Sequence, residues 1–203
     1  VRDLEKAIGE NPGKLKASGT AKGGTWHLAF AGWLAKAGLP ISAVKWIPTR
    51  GASPSLQELM AKNLDLVCCS LPEAQALIQG GNLKGLGVMS DERVKGFDNV
   101  KTFKEQGVDW SLVGWRALGV PSDTPMEVID TLMNALRDIV ESDEFASFMK
   151  TGNYNVSIRE GDEARETLDS MDAEMGKLLG MPEFRDLEKS GYSKDTYPAI
   201  LGC

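Results

Sequence analysis

Short apolar runs alternate with helix-period segments along most of this chain, and turn residues separate them. A brief apolar run between turns reads as a buried strand, and apolar residues at i, i+3, i+4 and i+7 read as one face of a helix. Alternation of the two marks an α/β protein with a largely parallel sheet, because parallel strands need a crossover that a helix supplies. The chain opens on VRDLEKAIGENPGKLKASG, a helix followed by the turn Asn11-Pro12-Gly13. A strand is expected near Leu15 to Ala17, then the loop GTAKGG, then a helix from about Thr25. Phe30, Trp33, Leu34 and Ala37 form that helix's stripe, and Gly38 ends it.

The pattern repeats. A strand over Ala43 to Ile47 and a turn over Pro48 to Gly51 precede a helix with Ser53 as cap and Pro54 as first helical residue. Leu56, Leu59 and Met60 are its expected inner face. Leu64 to Cys68 is the next strand; Ser70, Leu71 and Pro72 start a helix with Ala74, Leu77 and Ile78 inward, which Gly80-Gly81 stops. Gly85 to Met89 reads as a further strand and Leu112 to Val120 as an extended segment. Thr124-Pro125-Met126-Glu127 is a helix start with a capping threonine and proline in first place. That helix runs to about Lys150, with Ile129, Leu132, Met133, Leu136, Ile139 and Val140 in register. A last helix spans about Asp162 to Leu179, with Leu168, Met171, Met175, Leu178 and Leu179 as its stripe. Residues 180–203 are left unassigned, and no internal repeat is evident.

Charge excludes one large class. The formal net charge is −6, and acidic and basic residues are interleaved. Nucleic-acid binders concentrate Lys and Arg where phosphates lie, and no such cluster exists here. No signal peptide and no run of 18 apolar residues is visible; if the protein is exported, its leader was removed or lies upstream. Cys68 and Cys69 are adjacent, a spacing that disfavours a disulfide, and read as small buried hydrophobes. With Cys203 and the single histidine they make no zinc spacing, so no metal or cofactor is expected.

Chemistry concentrates in three strand-to-helix loops. In SGTAKGGTWHL, glycines let backbone N–H groups crowd an anion, the helix N-terminus adds partial positive charge, Thr20 and Thr25 add hydroxyls, and Lys22 adds a cation. A P-loop needs lysine after the last glycine, whereas Lys22 precedes Gly23; Gly19, Gly23 and Gly24 also miss the dinucleotide spacing. In TRGASPSLQEL, Arg50 is able to grip a carboxylate through two parallel hydrogen bonds, while Ser53 reads mainly as a cap. CCSLPEA is the third such loop, and three on one sheet edge would wall a pocket. His27, the only easy general base, has no apparent orienting partner and reads as a capping or packing residue. The nucleophile-elbow pattern G-x-S-x-G is absent, and no enzymatic activity is expected. The tryptophans read mostly as core, although Trp115 and Arg116, in an expected interlobe strand, could also face a ligand.

In order and spacing, these blocks resemble the periplasmic receptors of tripartite tricarboxylate transporters, also called Bug-type solute-binding proteins. The resemblance runs from about Leu4 to Leu179 through NPGKLKASGT, GGTWHLAFAGWLAKAG, VKWIPTRGASPSLQELMAKNLDLV, LPEAQALIQGGNLKGLGVMSDERVKGFDNVKTFKEQG and WRALGVPSDTPMEVIDTLMNAL. It implies an α/β, type II periplasmic-binding-protein-like fold: one complete lobe plus the C-terminal helices of the other. Residues 1–16 would be the opening helix of a truncated first lobe, 17–118 the ligand-binding lobe, and 119–179 helices returning to the first lobe. It implies a carboxylated ligand, a di- or tricarboxylate, contacting Thr20, Ala21, Gly23, Gly24 and Thr25, then Arg50, Gly51, Ala52 and Ser53, then Cys69 and Ser70. It also implies a periplasmic location and membrane components of the transporter as partners.

Three departures stand out. The family's first lobe begins upstream of this match, the third loop often has aspartate where Cys69 stands, and lysine is common where Arg50 stands. A single lobe is expected to bind weakly or not at all, and its bared apolar surface to favour a homo-oligomer. The alternative expectation is an orphan single-lobe module that has lost or changed its ligand and self-associates.

Overall fold

The computed structural model describes residues 1–180 except Asn155. Helix α1 (Arg2–Glu10) leads into strand β1 (Lys16–Ser18), helix α2 (Thr25–Lys36), strand β2 (Lys45–Trp46), helix α3 (Ala52–Met60), strand β3 (Leu66–Val67) and the short helix α4 (Gln75–Gln79). Helices α5 (Met126–Glu141), α6 (Asp143–Thr151) and α7 (Gly161–Leu179) follow. The strands form a parallel sheet in the order β2-β1-β3, with Ala17 opposite both Trp46 and Leu66. α2 thus carries the chain to one side of β1, and α3 carries it back to the other. Ligands in such sheets gather at this reversal, outside the carboxyl ends of the strands.

The core lies where α1 and α2 meet the sheet. Ile8, Ala17, Phe30, Trp33, Leu34, Ala43, Val44, Phe103 and Val108 form one buried cluster. Trp33 packs edge-on to Phe30 (5.2 Å) and Phe103 (5.5 Å), an arrangement the ring quadrupoles favour. Its indole N–H donates to Glu5 Oε1 at 2.8 Å, and Arg2 holds the other oxygen at 3.0 Å, so the charge on α1 is buried with partners. The opposite face of α2 is buried too. Ala31 meets Leu178 of α7, and a Cβ at Gly32 would drive into the Trp110 ring, whose N–H donates to the Ala29 carbonyl at 3.0 Å.

Several expectations need correction. Gly85 to Met89 forms no strand; only Val88 bridges, to Thr102, because the Lys101–Phe103 segment beside it turns into the 3-10 turn Lys104–Gln106 before a ladder can extend. Leu112 to Val120 pairs with no strand. The helix expected to reach Lys150 breaks at Ser142, whose extended backbone (ψ 147°) ends α5 while its hydroxyl accepts from Phe145 N to start α6. Ser53 does not cap α3: Gly51 does, at φ 133°, a conformation an L-residue rarely adopts. At the start of α5 the cap is Pro125 rather than a first helical residue, and no side chain caps that end. The helix expected from Ser70 begins as a 3-10 turn, Pro72–Ala74.

Met60 is 43% exposed rather than inward, and the α5 stripe is only half covered, with Leu132 at 51% and Ile139 at 56% exposure. No residue of α5 or α6 is buried. The burial of Leu179 and the structure of residues 181–203 lie outside what is described.

Candidate functional site

The loop after β1 is shaped by its glycines. Gly23 adopts φ +83°, and a Cβ on Gly24 would press on the Thr20 side chain, so the chain can double back only with glycine there. The Gly24 N–H closes the turn onto the Ala21 carbonyl at 3.0 Å, and Gly24 caps α2. The Gly23 N–H donates to His27 Nδ1 at 2.9 Å. A ring nitrogen that accepts is unprotonated, which puts the proton of neutral His27 on Nε2. Burial, with Lys22 nearby, pulls the His27 pKa down to about 4, and the ring rests on Trp46 at 4.8 Å. His27 is therefore a neutral brace for the loop, the capping and packing role its position suggested.

The loop after β2 is fastened from beneath by three hydroxyls. Ser18 Oγ donates to the Ile47 carbonyl at 2.6 Å and lies 3.0 Å from Ser55 Oγ; Thr49 Oγ1 lies 2.6 Å from Ser55 Oγ. Ser55 Oγ also lies 2.9 Å from the Gly51 carbonyl. Trp46 Nε1 donates across to the Thr20 carbonyl at 3.1 Å, tying the first two loops together. Buried Ser18 and Ser55 thus convert local turns into a fixed platform.

The loop after β3 comes very near the first. A Cβ on Gly19 would strike the Cys68 carbonyl oxygen, so these backbones touch through the absent side chain. Burial pushes the Cys68 thiol well above its ordinary range, and burial plus Glu73 pushes Cys69 up to about 12. Both thiols are therefore held in the protonated form at neutral pH, which makes them poor nucleophiles. Ser70 N–H and Oγ both donate to Glu73 Oε2, at 3.0 and 2.7 Å.

The family model for the tripartite tricarboxylate transporter family receptor (TctC) matches residues 1–179. The chain belongs to this receptor family. Among its relatives, a UPF0065 protein of Bordetella pertussis is 33% identical over 150 residues, covering 73% of this chain and 46% of that protein. Protein BugT of the same organism is 25% identical over 132 residues, covering 64% of this chain and 40% of that protein. A TctC solute-binding protein from Polaromonas, solved without ligand, superposes with a TM-score of 0.68 at 30% identity, over 87% of this chain and 60% of that one. R. palustris Rpa4515, solved with adipate, superposes at 0.77 with 22% identity, over 88% of this chain and 59% of that one, a likeness of fold. The chain thus spans about half the length of the curated relatives named here. Its fold is that of part of a type II periplasmic-binding-protein-like receptor.

Within this receptor fold, Thr20, Ala21, Lys22, Gly23, Gly24 and Thr25 stand on the loop after β1, Arg50, Gly51, Ala52 and Ser53 on the loop and first turn after β2, and Cys69 and Ser70 on the loop after β3. Ala21, Lys22, Thr25, Arg50 and Ser53 are exposed, Ala52 is buried, and the rest are half-buried. Gly114 lies against Trp26, which brings the extended segment past the start of α2; Trp115 is 44% exposed and Arg116 Nη1 donates to the Trp115 carbonyl. Sequence reasoning missed Glu73, although Ser70-x-x-Glu73 has the spacing of a capping box. It also missed the Ser18–Thr49–Ser55 network, whose members lie too far apart along the chain for any local pattern to link. Among the described residues no three His, Cys, Asp or Glu side chains gather to hold a metal, and no helix is long and apolar enough to cross a membrane.

Proposed function

We propose that this chain is the ligand-holding part of a periplasmic solute-binding receptor that takes a carboxylated small molecule, a di- or tricarboxylate, for uptake by a tripartite transporter. The supporting observation is the convergence of three loops at the carboxyl ends of adjacent parallel strands, with the glycine loop and the Cys69–Ser70 loop flanking the β1/β3 reversal. In this proposal a carboxylate sits at the start of α2, where Gly23, Gly24 and Thr25 offer backbone N–H groups and Thr20 a hydroxyl. Lys22 and Arg50 supply the countercharge. Gly51, Ala52 and Ser53 present the first turn of α3 to the same space. Adipate in Rpa4515 is a dicarboxylate, chemistry that suits such a site. The proposed division is 17–118 for this lobe with 119–179 returning to the other, while α1, expected to belong to the other lobe, packs into the core of this one through Ile8 and Glu5. Its partners would be the membrane components of the transporter.

A second reading, a self-associating module with a lost or altered ligand, has one observation in its favour. Leu132 and Ile139 on α5 and Phe148 on α6 (64%) are more than half exposed, an apolar face of the kind that proteins usually cover.

A thermal-shift screen against adipate, succinate, citrate and malate, with inorganic phosphate as control, separates the two. A carboxylate at about 100 times its dissociation constant adds about 2.7 kcal/mol to the stability of the fold. A rise in melting temperature with a carboxylate and not with phosphate supports the receptor. A flat response with a concentration-dependent oligomer supports the module.

A further inference from the structure

Two of the backbone donors at the start of α2 are already engaged within the loop. The Gly24 N–H donates to the Ala21 carbonyl at 3.0 Å and the Gly23 N–H to His27 Nδ1 at 2.9 Å. Gly24 can share its donor through a three-centre bond, as N–H groups at helix ends commonly do. Gly23 points at a buried ring, so a carboxylate that takes its N–H competes with His27. The ring is poorly placed to swing aside. It rests on Trp46 at 4.8 Å, Phe30 backs Trp46 at 5.6 Å, and the Trp46 N–H is tied to the Thr20 carbonyl.

The peptide between Lys22 and Gly23 is the part that can move. Ala21 to Gly24 is closed by an i to i+3 hydrogen bond, Gly23 stands at φ +83°, and Lys22 is not among the residues of positive φ. These are the marks of a type II turn with glycine in third place. A type I turn keeps the same closing bond and differs by roughly half a rotation of the central peptide, which takes φ of the third residue to about −90°. Glycine accepts either sign. The rotation exchanges the two ends of that peptide. The Gly23 N–H leaves the ring for the exposed side of the turn, where Ala21 and Lys22 stand, and the Lys22 carbonyl comes to face His27. Imidazole suits both positions, because Nδ1 accepts in one neutral tautomer and donates in the other.

We propose that the Lys22–Gly23 peptide is a two-position element held inward by His27, and that a ligand carboxylate turns it outward to take the Gly23 N–H. This rests on the proposed carboxylate site and adds how that site opens. On turning, the ring loses one proton at Nε2 and gains one at Nδ1, stays neutral, and donates from Nδ1 to the Lys22 carbonyl. His27 is thus a positioning residue, which sets the cost of binding through the backbone it holds.

Nuclear magnetic resonance on the unaltered, ¹⁵N-labelled chain tests this. Without ligand, a scalar coupling across the hydrogen bond is expected between the Gly23 amide and an unprotonated His27 Nδ1. At saturating adipate the coupling should vanish, and Nδ1 should take the shift of a protonated ring nitrogen. Calorimetry on Gly23→Ala gives a second reading. An L side chain disfavours the positive φ of the inward position, so this variant should bind adipate more tightly, by up to about tenfold. A glycine that served only to let the ligand approach would give the opposite result. Should Gly23→Ala fail to fold, the coupling decides alone. A coupling absent from the ligand-free chain or persisting in the adipate complex, or equal or weaker binding by a folded Gly23→Ala, overturns the two-position element and leaves the carboxylate site standing. Failure of adipate, succinate, citrate and malate alike to bind either chain overturns both.

Discussion

Acidification from pH 7 to pH 4 probes the role given to His27, because its neutral form is built into the loop. In the unfolded chain the imidazole protonates near its ordinary value of 6.5; in the fold, burial and Lys22 hold it to about 4. Between those values the unfolded state binds a proton that the folded state refuses, so stability falls as pH falls. The slope approaches about 1.4 kcal/mol per pH unit, and the loss reaches about 3 kcal/mol by pH 4. Above pH 7 the group contributes no pH dependence. Carboxylates act in a lower window: Glu105, held down to about 2 by Arg93 and the Thr102 N–H, loses its contribution only as pH falls below its ordinary 4.5. Asp91 and Glu160, lowered by Lys104 and Arg137, act in the same direction as they protonate. Urea denaturation at half-unit steps from pH 7 to 4 reads the slope directly, and His27→Gln should flatten it above pH 4.5. An unchanged slope in His27→Gln, or an NMR titration placing the His27 ring near 6.5 in the folded protein, would refute the assignment.

Other perturbations reach other parts of the account. Gly19→Ala would force the Cys68 carbonyl and the first loop apart, backbone against backbone. It should lower stability by about 2 kcal/mol or more in urea titrations, whereas Gly38→Ala, which meets no atom, should show only the smaller cost of its left-handed φ. Trp33→Phe leaves buried Glu5 Oε1 without its donor, and the expected loss is about 1–3 kcal/mol by chemical denaturation. Leu132→Glu with Ile139→Lys should reduce self-association measured by sedimentation, if the α5 face is where copies meet. An unchanged sedimentation profile would remove that face from consideration.

Periodicity exposed the parts of the fold that carry long one-sided patterns. The stripe Phe30, Trp33 and Leu34 is buried as its spacing implied, and α7 runs from Gly161 to Leu179, one residue from the expected start. The failures share a cause: pattern says which face is apolar, not what lies opposite it. Gly85 to Met89 has the composition of a strand but only one bridging residue, and the α5 stripe has the right period but no buried member. Ser142 carried a readable signal, since Ser142-Asp143-Glu144 is a capped, acidic helix start in the middle of an apolar pattern. At the site, the three loops were legible because glycine, hydroxyl and cap residues mark strand-to-helix turns. Their gathering on one sheet edge followed from the parallel-sheet reading, but the network that fixes them was not legible, because Ser18, Thr49 and Ser55 meet through the sheet rather than along the chain. Glu5 was equally hidden, its charge on a short helix giving no sign of the Trp33 indole that buries it.

The most direct test of the central claim is a two-dimensional amide NMR titration of the chain with adipate. Shift changes concentrated on Thr20–Thr25, Arg50–Ser53 and Cys69–Ser70 are the predicted result. Changes confined to α5, α6 or the surface of α7, or a spectrum unmoved at millimolar adipate, would contradict a carboxylate site at the strand ends.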